Sequence, residues 1–202
     1  MKKFTLLLAV ASLNLAALAA PQTFDFKDPK GVNNVIFKTD APLESINGTA
    51  TGISGSVTFD PAAPAAIQGK IVVAAASLTV PNSTMQKHLQ SDKWLDVAQH
   101  PDITFETLSA QNVHTTDNKT TADITGTMTI KGVSHKITVP VKITYLKDRL
   151  KDRFPKLEGD LLVLRTTFIV KRSDYGINQG AFEDKVSDDI ELTLSVAGQS
   201  PR

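Results

Sequence analysis

The sequence predicts an all-β protein whose strands close into an antiparallel barrel. Thr, Val, Ile and Phe recur along the chain, and turn-forming residues separate them at short intervals. Several segments alternate apolar and polar residues over about ten positions, which gives strands about 30 Å long, longer than is usual in a sandwich. Helix-forming sequence is scarce, so the sheet must close on itself or pair with a second sheet.

A secretory signal is predicted ahead of the barrel. Two lysines precede an apolar run over residues 4–18, and Ala17 and Ala19 place small residues where a signal peptidase cuts. A membrane anchor is the alternative, but the run is shorter than the ~20 residues that span a bilayer. We therefore expect residues 1–19 to be removed and residues 20–202 to form one periplasmic or secreted domain.

Charge and cysteine content narrow the class of protein further. The chain has 22 Lys and Arg residues against 21 Asp and Glu residues, and this balance argues against a nucleic-acid-binding protein. Cysteine is absent, so neither a disulfide nor a lipid attached to cysteine is expected. A domain of this size can bury a sufficient core without cross-links.

Alternating residues and turn residues define the strands. Every second residue is apolar from 137 to 145, which predicts one buried and one solvated face. Pro140 cannot donate a ladder hydrogen bond and predicts an edge-like or bulged position. Gly132 predicts a hairpin turn, and Gly52 and Gly55 predict a bent strand. Strands are expected over residues 23–27, 33–39, 43–50, 53–60, 69–79, 102–110, 122–131, 134–147, 161–172 and 190–196.

One segment favours helix. Asn82 can cap a helix over residues 85–91, and residues 95–99 can add a further turn before Pro101. This segment is too small to cover a sheet, which is why we expect closure.

Catalytic motifs are missing from the sequence. It contains no cysteine nucleophile, no Gly-x-Ser-x-Gly elbow and no phosphate-binding loop. The four histidines are not spaced as metal ligands, although two that are distant in sequence can meet in space. We therefore expect no enzyme, no metal and no cofactor, because an enzyme would need a titratable group facing the interior.

Small residues on one strand suggest a cavity. Counting by twos puts Val72, Ala74, Ala76 and Leu78 on the inner face, with two alanines near the middle of the wall. Small inward residues leave space inside a barrel of this kind. A packed core with no ligand is the alternative.

Four segments in order along the chain resemble the YceI-like family of lipid-binding proteins. Each is weak alone, but together they cover almost all of the chain after the signal. They are residues 47–61 (NGTATGISGSVTFDP), residues 88–105 with HL, WLD and PDITF, residues 126–141 (GTMTIKGVSHKITVPV) and residues 171–196 with KRSDYGIN and VSDDIELTLSV.

The resemblance implies a fold, a ligand class and a location. The fold would be a lipocalin-like antiparallel barrel of about eight strands with a short helical segment over one end. The ligand would be a long-chain apolar molecule such as a polyisoprenoid or the tail of a quinone, and the protein would be periplasmic or secreted. Phe24 and Asn33-Asn34 depart from the family's usual Trp and His-Ser pair.

The apolar residues that face inward are the expected binding residues, with core packing as the alternative for each. We expect Arg172 and Asp174 to form a structural ion pair or cap a turn rather than hold a headgroup. Met85, Leu89 and Trp94 are expected to cover the mouth. The wall residues are expected to be Phe37, Val57, Phe59, Val72, Leu78, Phe105, Met128, Ile130, Val139, Val141, Ile143, Phe168, Val170, Leu192 and Leu194.

Two functions remain open at this point. The first is a carrier or storage protein for a long-chain isoprenoid or other lipid. The second is a non-catalytic interaction protein that uses the barrel as a scaffold and docks to a membrane redox partner. The basic segment from Lys147 to Lys156 is expected to be a solvated hairpin tip or a transient contact with a membrane surface.

Overall fold

A computed structural model describes residues 20–202, and the predicted signal at residues 1–19 lies outside the described residues. The described chain forms eleven strand segments. They are β1 (Gln22–Asp25), β2 (Asn34–Asp40), β3 (Ser45–Ala50), β4 (Ile53–Phe59), β5 (Gln68–Ala74), β6 (Leu78–Thr79), β7 (Asp102–Thr116), β8 (Lys119–Ile130), β9 (Val133–Leu146), β10 (Gly159–Lys171) and β11 (Asp189–Pro201).

The strand segments close into an eight-stranded antiparallel barrel, as predicted. The first three barrel strands are each interrupted, so that β1 and β2, β3 and β4, and β5 and β6 are successive parts of one strand. The last strand, β11, pairs with β2 and, through Gln199 and Asp25, with β1. This pairing joins the two ends of the sheet and leaves the barrel without free edges along most of its wall.

The wall has one gap, between β9 and β10. These strands pair only from Leu146–Leu161 to Lys142–Arg165, although both continue beyond that point. Pro140 lies on the unpaired stretch of β9, which confirms the edge-like position that its missing N–H predicts. Gly132 lies in the turn between β8 and β9, as predicted.

A helix covers one end of the barrel. Helix α1 (Ser83–Gln90) begins after Asn82, whose side-chain oxygen accepts hydrogen bonds from the Thr84 and Met85 N–H groups at 2.9 and 3.0 Å. This confirms the predicted cap. The Gln86 side chain ties α1 to the barrel, since its amide donates to the Leu78 carbonyl at 2.8 Å. No helix within residues 20–202 is long and apolar enough to cross a membrane.

Aromatic side chains fill the opposite end, called here the closed end. The Tyr145 ring lies 6.3 Å from the rings of both Phe24 and Phe59. Helix α2 (Leu150–Arg153) follows β9 at this end, and its Leu150 is fully buried. The basic segment connects the antiparallel strands β9 and β10, and its charged side chains other than Arg153 are exposed, which confirms the predicted solvated hairpin tip; the short helix within it was not predicted. Membrane contact through it stays a prediction.

Candidate functional site

A cavity of about 810 Å³ occupies the half of the barrel under α1. This volume lies in the range of protein pockets that hold small molecules. The aromatic side chains of the closed end do not border the cavity, so it is blind at that end. It reaches the surface between α1, the β2–β3 turn and the loop of residues 172–188, and this opening is called the mouth.

Most of the residues predicted to bind a ligand lie on the cavity wall. Every strand of the barrel contributes some of them, and α1 with the segment after it contributes those nearest the mouth. Contact with a ligand stays a prediction for each. They are Phe37, Val57, Leu78, Met85, Leu89, Trp94, Phe105, Met128, Ile130, Val139, Val141, Phe168, Val170, Leu192 and Leu194.

Val72 was placed on the wrong face of its strand. The cavity is lined by Ile71 and Val73, so Val72 between them points to the other side of the sheet. A 3₁₀ turn at Ala75–Ser77 separates β5 from Leu78, which does face inward. Counting back by twos from Leu78 across this turn gives the opposite face. The small residues Ala74 and Ala76 are therefore not what leaves the interior empty.

Phe59 and Ile143 are buried inside the barrel, as predicted, but they do not line the cavity. Both are buried, with exposed fractions of 2% and 1%, yet neither borders the cavity. They belong to the apolar core of the described residues, and Phe59 packs on Tyr145 at the closed end. Alternation identifies the inner face of a strand but carries no information about height along the barrel.

Further wall residues were missed. Ile103 and Ile124 share the alternating faces of Phe105 and Met128, so the same periodicity was available to find them. Tyr175 and Ile177 also line the cavity, but they lie in the loop of residues 172–188 and no periodicity indicates their direction.

Glycines set two aromatic rings against the wall. A Cβ atom added at Gly48 would overlap the ring of Phe37, which faces it across the β2–β3 ladder. A Cβ atom at Gly126 would likewise overlap the ring of Phe105, which lies diagonally across the β7–β8 ladder. Each ring thus lies over the backbone of a neighbouring strand, where a larger residue would push it toward the axis. This arrangement helps to keep the barrel interior open.

Arg172 anchors the loop that borders the mouth. It is 3% exposed, and all five of its N–H groups donate to backbone carbonyls within that loop. No salt bridge joins it to Asp174 among residues 20–202, so the ion-pair alternative is wrong, but these hydrogen bonds agree with the structural role predicted for Arg172. With its donors in use, Arg172 has none left for a headgroup. The acceptors are the carbonyls of Ile177, Asn178, Ala181, Val186 and Ser187.

Residues with unpaired polar atoms also line the cavity. Within the described chain, four buried side-chain polar atoms lack a hydrogen-bond partner: Thr39 Oγ1, Thr166 Oγ1, Tyr175 OH and Asn178 Nδ2. All four residues line the cavity. Burial raises the pKa of the Tyr175 phenol, which keeps it a neutral donor. Because buried polar groups are normally paired, a rotation of these side chains toward the cavity would let them bond a group on a ligand there.

Charged groups on the wall lie at the mouth. Glu44, His88, Lys93 and Lys185 border the opening, whereas Arg172 is committed to its loop. Residues 20–202 bring no three His, Asp or Glu side chains together as a metal site. The arrangement is that of an apolar container with a polar rim.

Comparison with known protein families agrees with the resemblance seen in the sequence. The YceI-like domain family matches residues 30–197. The chain belongs to the YceI-like family. A UPF0312 protein of Pseudomonas putida is 32% identical over 154 residues, which cover 76% of this chain and 73% of that protein. A UPF0312 protein of Pseudomonas aeruginosa is 29% identical over 151 residues, 75% of this chain and 72% of that protein.

Solved structures share the barrel. BcnA of Burkholderia cenocepacia matches with a TM-score of 0.66 at 22% identity, covering 82% of this chain and 95% of that one. A polyisoprenoid binding domain from Saccharophagus degradans matches with a TM-score of 0.65 at 11% identity, covering 90% and 100%. At these identities the likeness shows the fold.

The departure from the family at Asn33 lies at the closed end. The Asn33 side chain is 2% exposed, donates to the Phe26 and Ala197 carbonyls, and accepts from the Ala197 N–H at 2.8 Å. It therefore joins the start of β2 to β11 and does not border the cavity. In this YceI-like protein the position serves the barrel rather than the cavity.

Proposed function

We propose that this YceI-like protein holds a long-chain apolar ligand, a polyisoprenoid, a quinone or a related lipid, inside its barrel and carries or stores it without catalysing a reaction. The blind apolar cavity of about 810 Å³ is the observation that carries the proposal. The family membership and the likeness to a polyisoprenoid binding domain support it. The proposed location, the periplasm or the exterior, rests on the predicted signal at residues 1–19.

Burial of the tail can supply the affinity. Each buried CH₂ contributes about 0.8 kcal/mol, so a five-carbon isoprene unit contributes roughly 4 kcal/mol. Two or three well-buried units would then offset the several kcal/mol lost on association. Tail length would be limited by the closed end, which the cavity does not reach.

The unpaired polar atoms favour a ligand with an uncharged oxygen. A pure hydrocarbon would leave Tyr175 OH and Thr166 Oγ1 without partners, and each such buried group costs about 1–3 kcal/mol. A carbonyl or hydroxyl on the ligand would pair with them. A phosphate would find no free N–H on Arg172.

Extraction and uptake test the proposal together. Purified protein is extracted with organic solvent and analysed by mass spectrometry, and ligand-free protein is then offered prenyl alcohols and quinones in detergent. We expect one lipid per barrel from extraction and saturable uptake. The proposal is contradicted if protein purified from several expression hosts releases no lipid and also takes up none of the added lipids.

A matched pair of variants ties uptake to the cavity. Val139→Trp places an indole on the cavity wall, whereas Thr138→Trp places it on the exposed outer face of the same strand. We expect Val139→Trp to abolish uptake and Thr138→Trp to leave it unchanged. Sequencing the N-terminus of exported protein, expected at Ala20, tests the location separately.

A further inference from the structure

Two exposed apolar side chains flank the mouth. Leu43, in the β2–β3 turn, is 69% exposed, and Phe182, in the loop of residues 172–188, is 56% exposed. Phe182 also borders the cavity and stacks on Trp94, with ring centroids 6.4 Å apart. Single exposed apolar residues need no explanation, but a pair at the opening of an apolar cavity does.

The backbone of Phe182 is held in an unusual conformation. Its φ is +60°, in the left-handed region that a bulky residue rarely adopts and that costs energy. Three hydrogen bonds hold the turn: the Lys185 and Val186 N–H groups donate to the Phe182 carbonyl at 2.9 and 2.8 Å, and Arg172 donates to the carbonyl of Ala181. The buried arginine thus presents the ring outward from a fixed turn.

The two side chains belong to one rigid rim. The Leu43 N–H donates to the Asp184 carbonyl at 2.9 Å, which joins the β2–β3 turn to the loop that carries Phe182. Both signs of charge surround them, with Glu44 opposite Lys93 and Lys185 on the cavity border. The rim therefore offers apolar contact rather than electrostatic attraction.

We propose that Leu43 and Phe182 insert into the surface of a lipid bilayer, so that the mouth docks on the membrane and a tail passes between bilayer and cavity without crossing water. This inference rests on the proposed function. Aromatic side chains favour the membrane–water interface, and apolar side chains on a rigid rim gain by burial in it. The basic segment from Lys147 to Lys156 lies at the closed end, so docking through it would turn the mouth away from the bilayer.

The test measures transfer from lipid vesicles that contain no protein. Dansyl-labelled geranylgeraniol is loaded into phosphatidylcholine vesicles, and its uptake by ligand-free protein is followed by fluorescence. The mouth variant is Leu43→Ser with Phe182→Gly, since glycine suits the left-handed backbone and preserves the turn. The control variant is Leu108→Ser with Ile169→Ser, which removes apolar side chains 54% and 61% exposed from β7 and β10.

We expect the mouth variant to take up the probe from vesicles at least about tenfold more slowly than wild type, and the control variant to stay within about twofold. The control variant should bind the probe from detergent micelles with wild-type affinity. So should Leu43→Ser alone, because Leu43 does not border the cavity, and it should still slow uptake from vesicles. Added salt or phosphatidylglycerol should change the wild-type rate by less than about twofold, because the contact is apolar.

Each other outcome has a defined meaning. A mouth variant that binds from micelles and still takes up probe from vesicles at the wild-type rate overturns the docking proposal and points to a protein partner at the mouth. A loss seen only with anionic vesicles at low salt overturns the apolar mechanism. Wild-type protein that takes up no probe from micelles contradicts the proposed function itself.

Discussion

The two ends of this barrel are built from the same strands but differ in what fills them. At the closed end, the rings of Phe24 and Phe59 both pack against Tyr145. In the half under α1, the rings of Phe37 and Phe105 lie over glycines on neighbouring strands, and a cavity remains. The comparison teaches that the direction of a few aromatic rings, more than the hydrophobicity of the strands, decides whether a barrel is solid or hollow.

The ends also differ in how buried polar groups are satisfied. Asp160, 1% exposed at the closed end, accepts hydrogen bonds from Tyr145 OH at 2.7 Å and from the Asp148 N–H at 2.8 Å. The unpaired buried atoms of the described chain, such as those of Thr166 and Tyr175, all lie on the cavity wall. The buried Asp160 at the closed end is paired within the protein, whereas the unpaired buried polar atoms of the described residues belong to residues of the hollow half.

Removing an aromatic ring should cause the largest loss of stability, and the loss should be greater at the closed end than in the hollow half. Phe59→Ala leaves a hole in a packed core and is expected to lower the free energy of unfolding by about 3–5 kcal/mol. Phe168→Ala enlarges a cavity that already exists and should cost less than half of that. Urea denaturation of the ligand-free proteins measures both. Equal losses would mean that the hollow half is packed as tightly as the closed end.

Replacing a glycine that lies against a ring with alanine should also affect the two ends differently. Gly198 lies against Phe26 at the closed end as Gly48 lies against Phe37 on the cavity wall. Gly198→Ala is expected to cost about 1–3 kcal/mol of stability, because the Phe26 ring has nowhere to move. Gly48→Ala should push Phe37 into the cavity, with little loss of stability and a clear loss of lipid uptake. Denaturation and uptake in detergent test the two halves of this expectation, and a Gly48→Ala protein with full uptake contradicts it.

Acid should weaken the closed end through Asp28. Burial raises the pKa of this carboxyl, but hydrogen bonds from the Asn33 N–H and the Arg153 guanidinium, with others from Lys30 and Val32, lower it overall to about 2. A carboxyl whose pKa is lower in the folded state stabilises the fold above its unfolded pKa of about 4 and loses this contribution as the pH falls through 2.

Asp28→Asn should therefore cost about 2 kcal/mol at neutral pH and only a small fraction of that near pH 2. Asp152→Asn, which removes one partner of an exposed ion pair with Arg149, is the control and should cost less than about 1 kcal/mol. Denaturation of both variants across this pH range measures the difference. A penalty for Asp28→Asn that does not change with pH would exclude the charge as its cause.

The sequence was sufficient for the fold because a barrel repeats one signal. Alternation identified the inner faces of β8 and β9, and with them Met128 and Val139 on the cavity wall. It could not give height along the barrel, since height depends on the pairing around the whole ring, and so Phe59 and Ile143 were assigned to the cavity. A 3₁₀ turn reversed the parity at Val72.

The positions of loop residues were the second feature that the sequence could not predict. Arg172 is held by carbonyls of residues up to fifteen positions away, and no side-chain pattern indicates that a backbone will curl around a guanidinium. The apparent partner in the sequence, Asp174, is exposed, and its carbonyl instead meets His135 Nε2 at 2.8 Å. Tyr175 was missed for the same reason, because its inward direction follows from the curled loop.

The smallest expected effect distinguishes the two tyrosines. Tyr145→Phe removes the hydrogen bond to Asp160 and should cost about 1–2 kcal/mol of stability. Tyr175→Phe removes no hydrogen bond, because Tyr175 OH has no partner, and should leave the ligand-free protein equally stable or more stable by up to about 1 kcal/mol.

Ligand binding should show the opposite pattern to stability: Tyr175→Phe should affect it and Tyr145→Phe should not. If the cavity holds an uncharged oxygen against Tyr175 OH, Tyr175→Phe should lower the affinity for a prenyl alcohol by about fivefold relative to squalene, a hydrocarbon that makes no hydrogen bond. Tyr145→Phe, remote from the cavity, should leave this ratio unchanged. A ratio that is the same in wild type and Tyr175→Phe would show that the unpaired phenol plays no part in choosing the ligand, and the hollow half would then select by shape alone.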